Sequence, residues 1–147
     1  MRRHYRKATR PATVPTMARR RLFYAIWPEP AERAALAAAA QSLFPLSGRP
    51  VAAADFHITL AFVGAVDDAR LAAFQALVQP LTPFDVTLDA LEHWPKPRVL
   101  VAAARHASPQ LAATVAALWR QLDRLGVARE PRPFQAHATL ARDVRQW

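Results

Sequence analysis

The chain has no cysteine. That excludes disulfide frameworks, thiolate metal sites and cysteine nucleophiles together, and it suits a reducing compartment such as the cytoplasm. Glycine is nearly as scarce, with 3 in 147 residues, and no Gly-rich phosphate-binding loop can be written through them. Long apolar runs are also missing. The longest uncharged stretches, 34–48 and 71–84, carry Pro or Gln and fall short of the ~20 residues of a membrane-spanning helix. No membrane association is expected. Acidic residues are absent from the first 21 positions, which hold 8 of the 20 Lys and Arg. The remainder has 12 basic against 11 acidic residues, so the net charge of +9 belongs to a tail and the body is close to neutral. Residues 1–16 read as a disordered basic arm or as an extension ahead of a start at Met17. They lack the apolar stretch of a secretory signal, though an Arg-rich, acid-free segment is also compatible with an organelle transit peptide.

What is present is a foldable body, 52% hydrophobic and 21% charged overall. Its length suits one domain. Residues 21–27 (RLFYAIW) read as a buried strand closed by Pro28. Pro30 opens a helix with Leu36, Ala40 and Leu43 on one face, ended by Pro45 and Gly48. Residues 56–63 (FHITLAFV) alternate, which predicts Phe56, Ile58, Leu60 and Phe62 on one face and His57, Thr59 and Ala61 on the other. Asp67 and Asp68 are cap candidates for a helix presenting Leu71, Phe74 and Val78. Residues 84–91 alternate again and join 99–104 through a Trp-Pro-Lys-Pro-Arg turn, predicting a hairpin. Ser108-Pro109 starts a helix whose stripe is Leu111, Val115, Leu118, Leu122 and Leu125, with Gly126 after it. Residues 135–141 (QAHATLA) form a last short strand. The order, with its antiparallel hairpin, argues α+β rather than a doubly wound parallel sheet.

A repeat lies inside that order. Strand–helix–loop–strand runs from Leu22 to Val63 and again from Val99 to Ala141, and each unit ends on one phrase: His57-Ile58-Thr59-Leu60 and His137-Ala138-Thr139-Leu140, eighty positions apart. One His-x-Thr is the ordinary filling of a strand's solvent face. Given the 5 His, 8 Thr and 16 Leu of this chain, His-x-Thr-Leu arises by chance roughly 0.03 times, so two copies are a signal. Within a strand each His and its Thr share a face. Two such pairs across a cleft can hold an anion, one imidazole giving a proton while the other takes one. No His or Glu stands at metal-ligand spacing from another His, and no metal is expected. His93, His106 and His4 read as surface or capping residues. Trp27, Trp94 and Trp119 read as core, and Phe62 or Phe134 as residues that could stack a base at the cleft mouth.

The segments FHITLAFVG and RPFQAHATLAR resemble the paired motifs of the 2H phosphoesterase superfamily, in particular its bacterial RNA 2′,3′-cyclic phosphodiesterases, also called 2′-5′ RNA ligases. MARRRLFYAIWP resembles the family's start and LDALEHWPKPRVLVAAA its central hairpin, so the likeness covers about residues 17–147. It implies two pseudo-symmetric α+β lobes, with antiparallel sheets and flanking helices, around a central cleft. It implies His57 as proton donor and His137 as proton acceptor, Thr59 and Thr139 on the phosphate oxygens, and Arg142 as the basic residue after the second motif. The implied reaction is hydrolysis of RNA 2′,3′-cyclic phosphate ends to 2′-phosphomonoesters, with 2′-5′ ligation in reverse. The implied protein is a cytoplasmic monomer with no cofactor and no obligate protein partner, acting on RNA ends or small cyclic-phosphate nucleotides. Ala136 departs from the family's Pro-containing cluster. The chain also stops five residues after Arg142, where members continue and add strands, so an exposed sheet edge is expected. Strand parity sets Arg142 opposite in facing to His137 unless the strand bulges near Ala141. Two other readings stay open: a 2H enzyme for a different cyclic phosphate, and a non-catalytic RNA-binding module using the basic tail.

Overall fold

The computed structural model describes residues 18–43 and 47–147; the basic segment expected over 1–16 and the helix stop expected at Pro45 lie outside them. Among the described residues the order is β1 (Arg19–Ile26), α1 (Pro30–Gln41), β2 (Arg49–Pro50), β3 (Ile58–Asp67), α2 (Leu71–Gln75), β4 (Ala90–Trp94), β5 (Val99–Ala103), α3 (Pro109–Arg124) and β6 (His137–Arg142). The strands lie in the order β1-β3-β6-β5-β4, with β2 on the free stretch of β6. All pairings are antiparallel. β3 and β6 meet at one residue pair only, Ile58 opposite Ala138. On either side of it the sheet divides into a β1–β3 lobe, covered by α3, and a β4–β5–β6 lobe, covered by α1. The α+β architecture of two similar halves is therefore observed, as β1-α1-β3 and β5-α3-β6.

Local chemistry explains the elements. Pro30 sits at the first turn of α1, and Glu29 and Glu32 exchange capping contacts, the Glu29 amide donating to the Glu32 carboxylate at 2.9 Å. The Ser108 hydroxyl accepts the Leu111 amide at 3.2 Å and starts α3. Gly126, at φ 78°, ends that helix region as only glycine does without strain. Leu111, Val115, Leu118, Trp119 and Leu122 bury one face of α3 against Ile58, Leu60, Ala61 and Val66 of β3 and against Phe74. A second cluster sets Ala40 of α1 on Phe56, Ala102 and Leu140. Both helices cover the back of the sheet, and the opposite face is left for a site.

Two expected elements are shorter than predicted. Residues 84–89 keep their alternation, and Phe84, Val86 and Leu88 pack on the core, but among the described residues no strand pairs with them and only Ala90–Trp94 enters the ladder. The carboxylate of Asp89 instead accepts the Arg105 amide at 2.9 Å. The helix α2 stops at Gln75, where the Leu77 and Val78 amides fall back on Phe74 and Gln75, ahead of Pro80. Asp67 and Asp68 do not cap it with their side chains. They pair with Arg19 and Arg20 across the β1–β3 edge.

Each half carries a bulge at the same place. Tyr24 lies opposite Ala61 and Ala25 opposite Thr59, so Leu60 is an extra residue in β3. Leu100 lies opposite Ala141 and Val101 opposite Thr139, so Leu140 is an extra residue in β6. An extra residue reverses strand parity beyond it. The expectation that Phe62 shares the buried face and Ala61 the open one is corrected on this ground: Ala61 is buried, whereas Phe62 is 41% exposed opposite Phe23.

Candidate active site

The Ile58–Ala138 pair decides the geometry of the site. With these two residues opposed in an antiparallel register, His57 comes beside Thr139 and Thr59 beside His137. The four form a quartet about a local two-fold axis. Ile58 and Ala138 point into the core, while His57, Thr59, His137 and Thr139 are half-buried on the other face. The sequence-derived quartet is thus brought together on one surface by a single rung of the sheet.

Both histidines are held in the same way. The Nδ1–H of His57 donates to the carbonyl of Asp55 at 2.6 Å, and the Nδ1–H of His137 donates to the carbonyl of Gln135 at 2.8 Å. A carbonyl can only accept, so each bond places the proton on Nδ1 and leaves Nε2 free. A neutral ring then offers Nε2 as a base, and a protonated ring offers Nε2–H as an acid. The two carbonyls were not singled out in the sequence. Their only signal is the shared spacing, each two residues before its histidine.

Aromatic rings flank both imidazoles. Phe23 stacks on His57 at 5.3 Å between centroids and Trp27 lies 5.2 Å away, while Trp94 tilts over His137 at 4.4 Å. Trp119 is core as expected. Trp27 is not, being 52% exposed, and half-buried Trp94 faces the site; both stand near strand ends where the sheet's open face takes their rings. The Trp94 indole N–H donates to Glu92 at 2.8 Å, and the same carboxylate accepts the Gln135 side-chain amide at 3.1 Å. A cavity of about 330 Å³ opens beside the quartet, walled by Thr59 and His137 with Phe62, Trp94 and Phe134, and rimmed by Arg129 and Arg132.

Arg142 is placed by the second bulge. It lies opposite Val99, as Thr139 lies opposite Val101 and His137 opposite Ala103, so all three project from one face. By strand rise Arg142 stands about 7 Å beyond Thr139, away from His137. Beside it Arg49 is tied to Asp143 at 2.7 Å, and that guanidinium holds the Asp143 carboxyl below the ordinary aspartate range. The His93 Nε2–H donates to the Val144 carbonyl at 3.0 Å and fastens the chain's last residues to β4, while His106 is exposed; His4 lies outside the described residues. Among the described residues no three His, Asp or Glu side chains converge as a metal cluster. Nor is any described helix long and apolar enough to cross a membrane.

The profile of the family described as LigT like Phosphoesterase matches residues 26–101. A curated relative, the RNA 2′,3′-cyclic phosphodiesterase of Escherichia coli K12, is 36% identical over 102 residues, covering 68% of this chain; the match spans 58% of that relative's length. The crystal structure of E. coli LigT complexed with 3′-AMP superposes with a TM-score of 0.76 at 34% identity, covering 88% of this chain and 76% of that one. The crystal structure of TT0787 from Thermus thermophilus gives a TM-score of 0.67 at 28% identity, covering 86% and 75%.

Proposed function

This chain belongs to the LigT-like phosphoesterase family, and on that premise we propose that it hydrolyses RNA 2′,3′-cyclic phosphate ends to 2′-phosphomonoesters by acid–base catalysis between His57 and His137. The observation that carries the reading is the two-fold quartet, with a free Nε2 on each side of one axis. In-line displacement at phosphorus needs the entering and leaving oxygens on opposite sides, and two imidazoles related by a two-fold axis meet that need. His137 Nε2 takes a proton from water as its oxygen bonds to phosphorus. The bond to the ribose 3′ oxygen breaks, and His57 Nε2–H protonates that oxygen. Water is consumed, the 2′-phosphomonoester forms, and the proton on His137 returns to His57 through solvent.

The Thr59 and Thr139 hydroxyls donate to the non-bridging oxygens, where charge gathers in the transition state. Arg142 adds positive field from the same face. The strained cyclic diester has its electrophile already positioned, so two imidazoles and these donors suffice without a metal or cofactor. An RNA 5′-hydroxyl replacing water would yield a 2′-5′ linkage through the same proton transfers. Phe62 and Phe134, on the cavity wall, are placed to stack a base of the substrate. We assign residues 17–147 to the catalytic domain, acting as a monomer in the cytoplasm.

A substrate panel tests the reading. A short RNA ending in 2′,3′-cyclic phosphate should turn over faster than 3′,5′-cyclic nucleotides or an ADP-ribose cyclic phosphate, and phosphorus NMR should show a 2′-monoester. Preference for one of the other diesters would assign the same centre to a different cyclic phosphate. Binding of RNA without turnover would leave only a recognition module.

A further inference from the structure

We propose that Glu92 is the positioning residue that sets the His137 imidazole for proton acceptance, an inference that rests on the acid–base reading of the quartet. Its two carboxylate oxygens are divided between two supports of one ring. One oxygen receives the Trp94 indole N–H at 2.8 Å, and Trp94 tilts over the His137 ring at 4.4 Å and 57°. The other receives the Gln135 amide at 3.1 Å, and the backbone carbonyl of Gln135 takes His137 Nδ1–H at 2.8 Å. Glu92 thus fixes what lies against the face of the imidazole and what holds its Nδ1 proton.

The sheet makes this possible. Glu92 lies opposite Val101, which in turn lies opposite Thr139, so the carboxylate shares the site's face two strands away. Trp94 belongs to β4, an edge strand among the described residues, where a large side chain has room to leave the site. The indole hydrogen bond removes that freedom. Among the described residues His57 has no such arrangement in its own half: its flanking rings, Phe23 and Trp27, are 44% and 52% exposed. The two halves therefore share the catalytic phrase and the backbone tether on Nδ1, and differ in what braces the groups around the imidazole. The anionic support stands on the side of His137, where an imidazolium forms as water is deprotonated. Precise placement of a reacting group is worth large factors in rate, about 10²-fold for a 1 Å error.

The test compares Glu92→Ala, Glu92→Gln and His137→Ala on an RNA 2′,3′-cyclic phosphate, with the His137 ring followed by nitrogen NMR. Glu92→Ala is expected to lower kcat by ~10-fold with KM little changed, since the loss is orientation at the reacting centre. The Nδ1–H form of His137 should give way to a mixture. Glu92→Gln, whose amide oxygen still accepts one N–H, should recover most of the rate. Should the alanine variant fail to fold, Trp94→Phe replaces it: an aromatic ring stays beside His137, the N–H that Glu92 accepts goes, and kcat should fall several-fold. A carboxylate that merely tied β4 to its neighbours would alter melting temperature and leave kcat and the imidazole signals unchanged, and that result overturns the proposal. Full activity in His137→Ala would instead overturn the acid–base reading itself.

Discussion

Each imidazole has one nitrogen committed to a backbone carbonyl and one left for chemistry, and from this the residue-scale expectations follow. His57→Ala and His137→Ala should each lower turnover by at least ~10²-fold, the scale of losing a general acid or base. Because both act in one transition state, the double variant should lose far less than the product of the two losses. Near-normal turnover in either single variant contradicts the shared mechanism. The division of roles has its own check. On a diester whose leaving group needs no protonation, His57→Ala should regain most of its rate while His137→Ala stays slow; the opposite pattern exchanges acid and base. The quartet was legible in the sequence because the phrase His-x-Thr-Leu occurs twice and strand periodicity puts each His with its Thr. Phe62 was not correctly faced by periodicity, since an alternating pattern carries no mark of a bulge; for Arg142 the facing hung on a bulge near Ala141, and the one at Leu140 decides it. Glu92 and Trp94 were invisible as partners because what joins them to His137 is the β4–β5–β6 register, a tertiary fact.

At the scale of elements, the helices and the hairpin could be read from caps and stripes that act locally: Pro30 at the start of α1, Ser108-Pro109 at the start of α3, and the turn before Val99. Residues 84–89 read as strand because alternation reports which side chains pack, not whether a neighbouring backbone is there to pair. Stability should follow the same logic. Leu122, fully buried under α3, should cost ~2–5 kcal/mol when changed to Ala, and Ser108→Ala should cost ~1 kcal/mol, both by urea denaturation. Costs near zero in both would mean that α3 is not part of the cooperative core. Acid sensitivity follows from two aspartates. The Arg105 backbone amide holds Asp89, and the Arg49 guanidinium holds Asp143, below the ordinary aspartate range. A carboxyl depressed in the folded state adds stability at neutral pH that is lost as pH falls through about 4 and below. Melting temperature measured against pH should therefore decline less steeply on the acid side in Asp89→Asn. An unchanged acid limb would show that the Asp89–Arg105 contact contributes nothing in solution.

On the scale of the whole molecule, two similar lobes share one rung, Ile58 against Ala138, and the catalytic groups gather on either side of it. The internal repeat made the two halves legible; that they meet through a single pair could not be read, because nothing in an antiparallel strand's sequence says where its neighbour departs. The charge asymmetry gives a further expectation. With 8 of 20 basic residues in the first 21 positions and a nearly neutral remainder, removing residues 1–16 should leave turnover of a short RNA within a few-fold and reduce only salt-sensitive binding. A full-length protein that binds RNA without turning it over, and loses that binding with residues 1–16, would shift the account toward a tail-driven RNA binder. The most direct test of the central claim is single-turnover hydrolysis of an RNA 2′,3′-cyclic phosphate by metal-stripped protein in EDTA. The expected result is an undiminished rate and a 2′-phosphomonoester product; loss of activity on chelation, restored by zinc or manganese, would contradict catalysis by the two histidines alone.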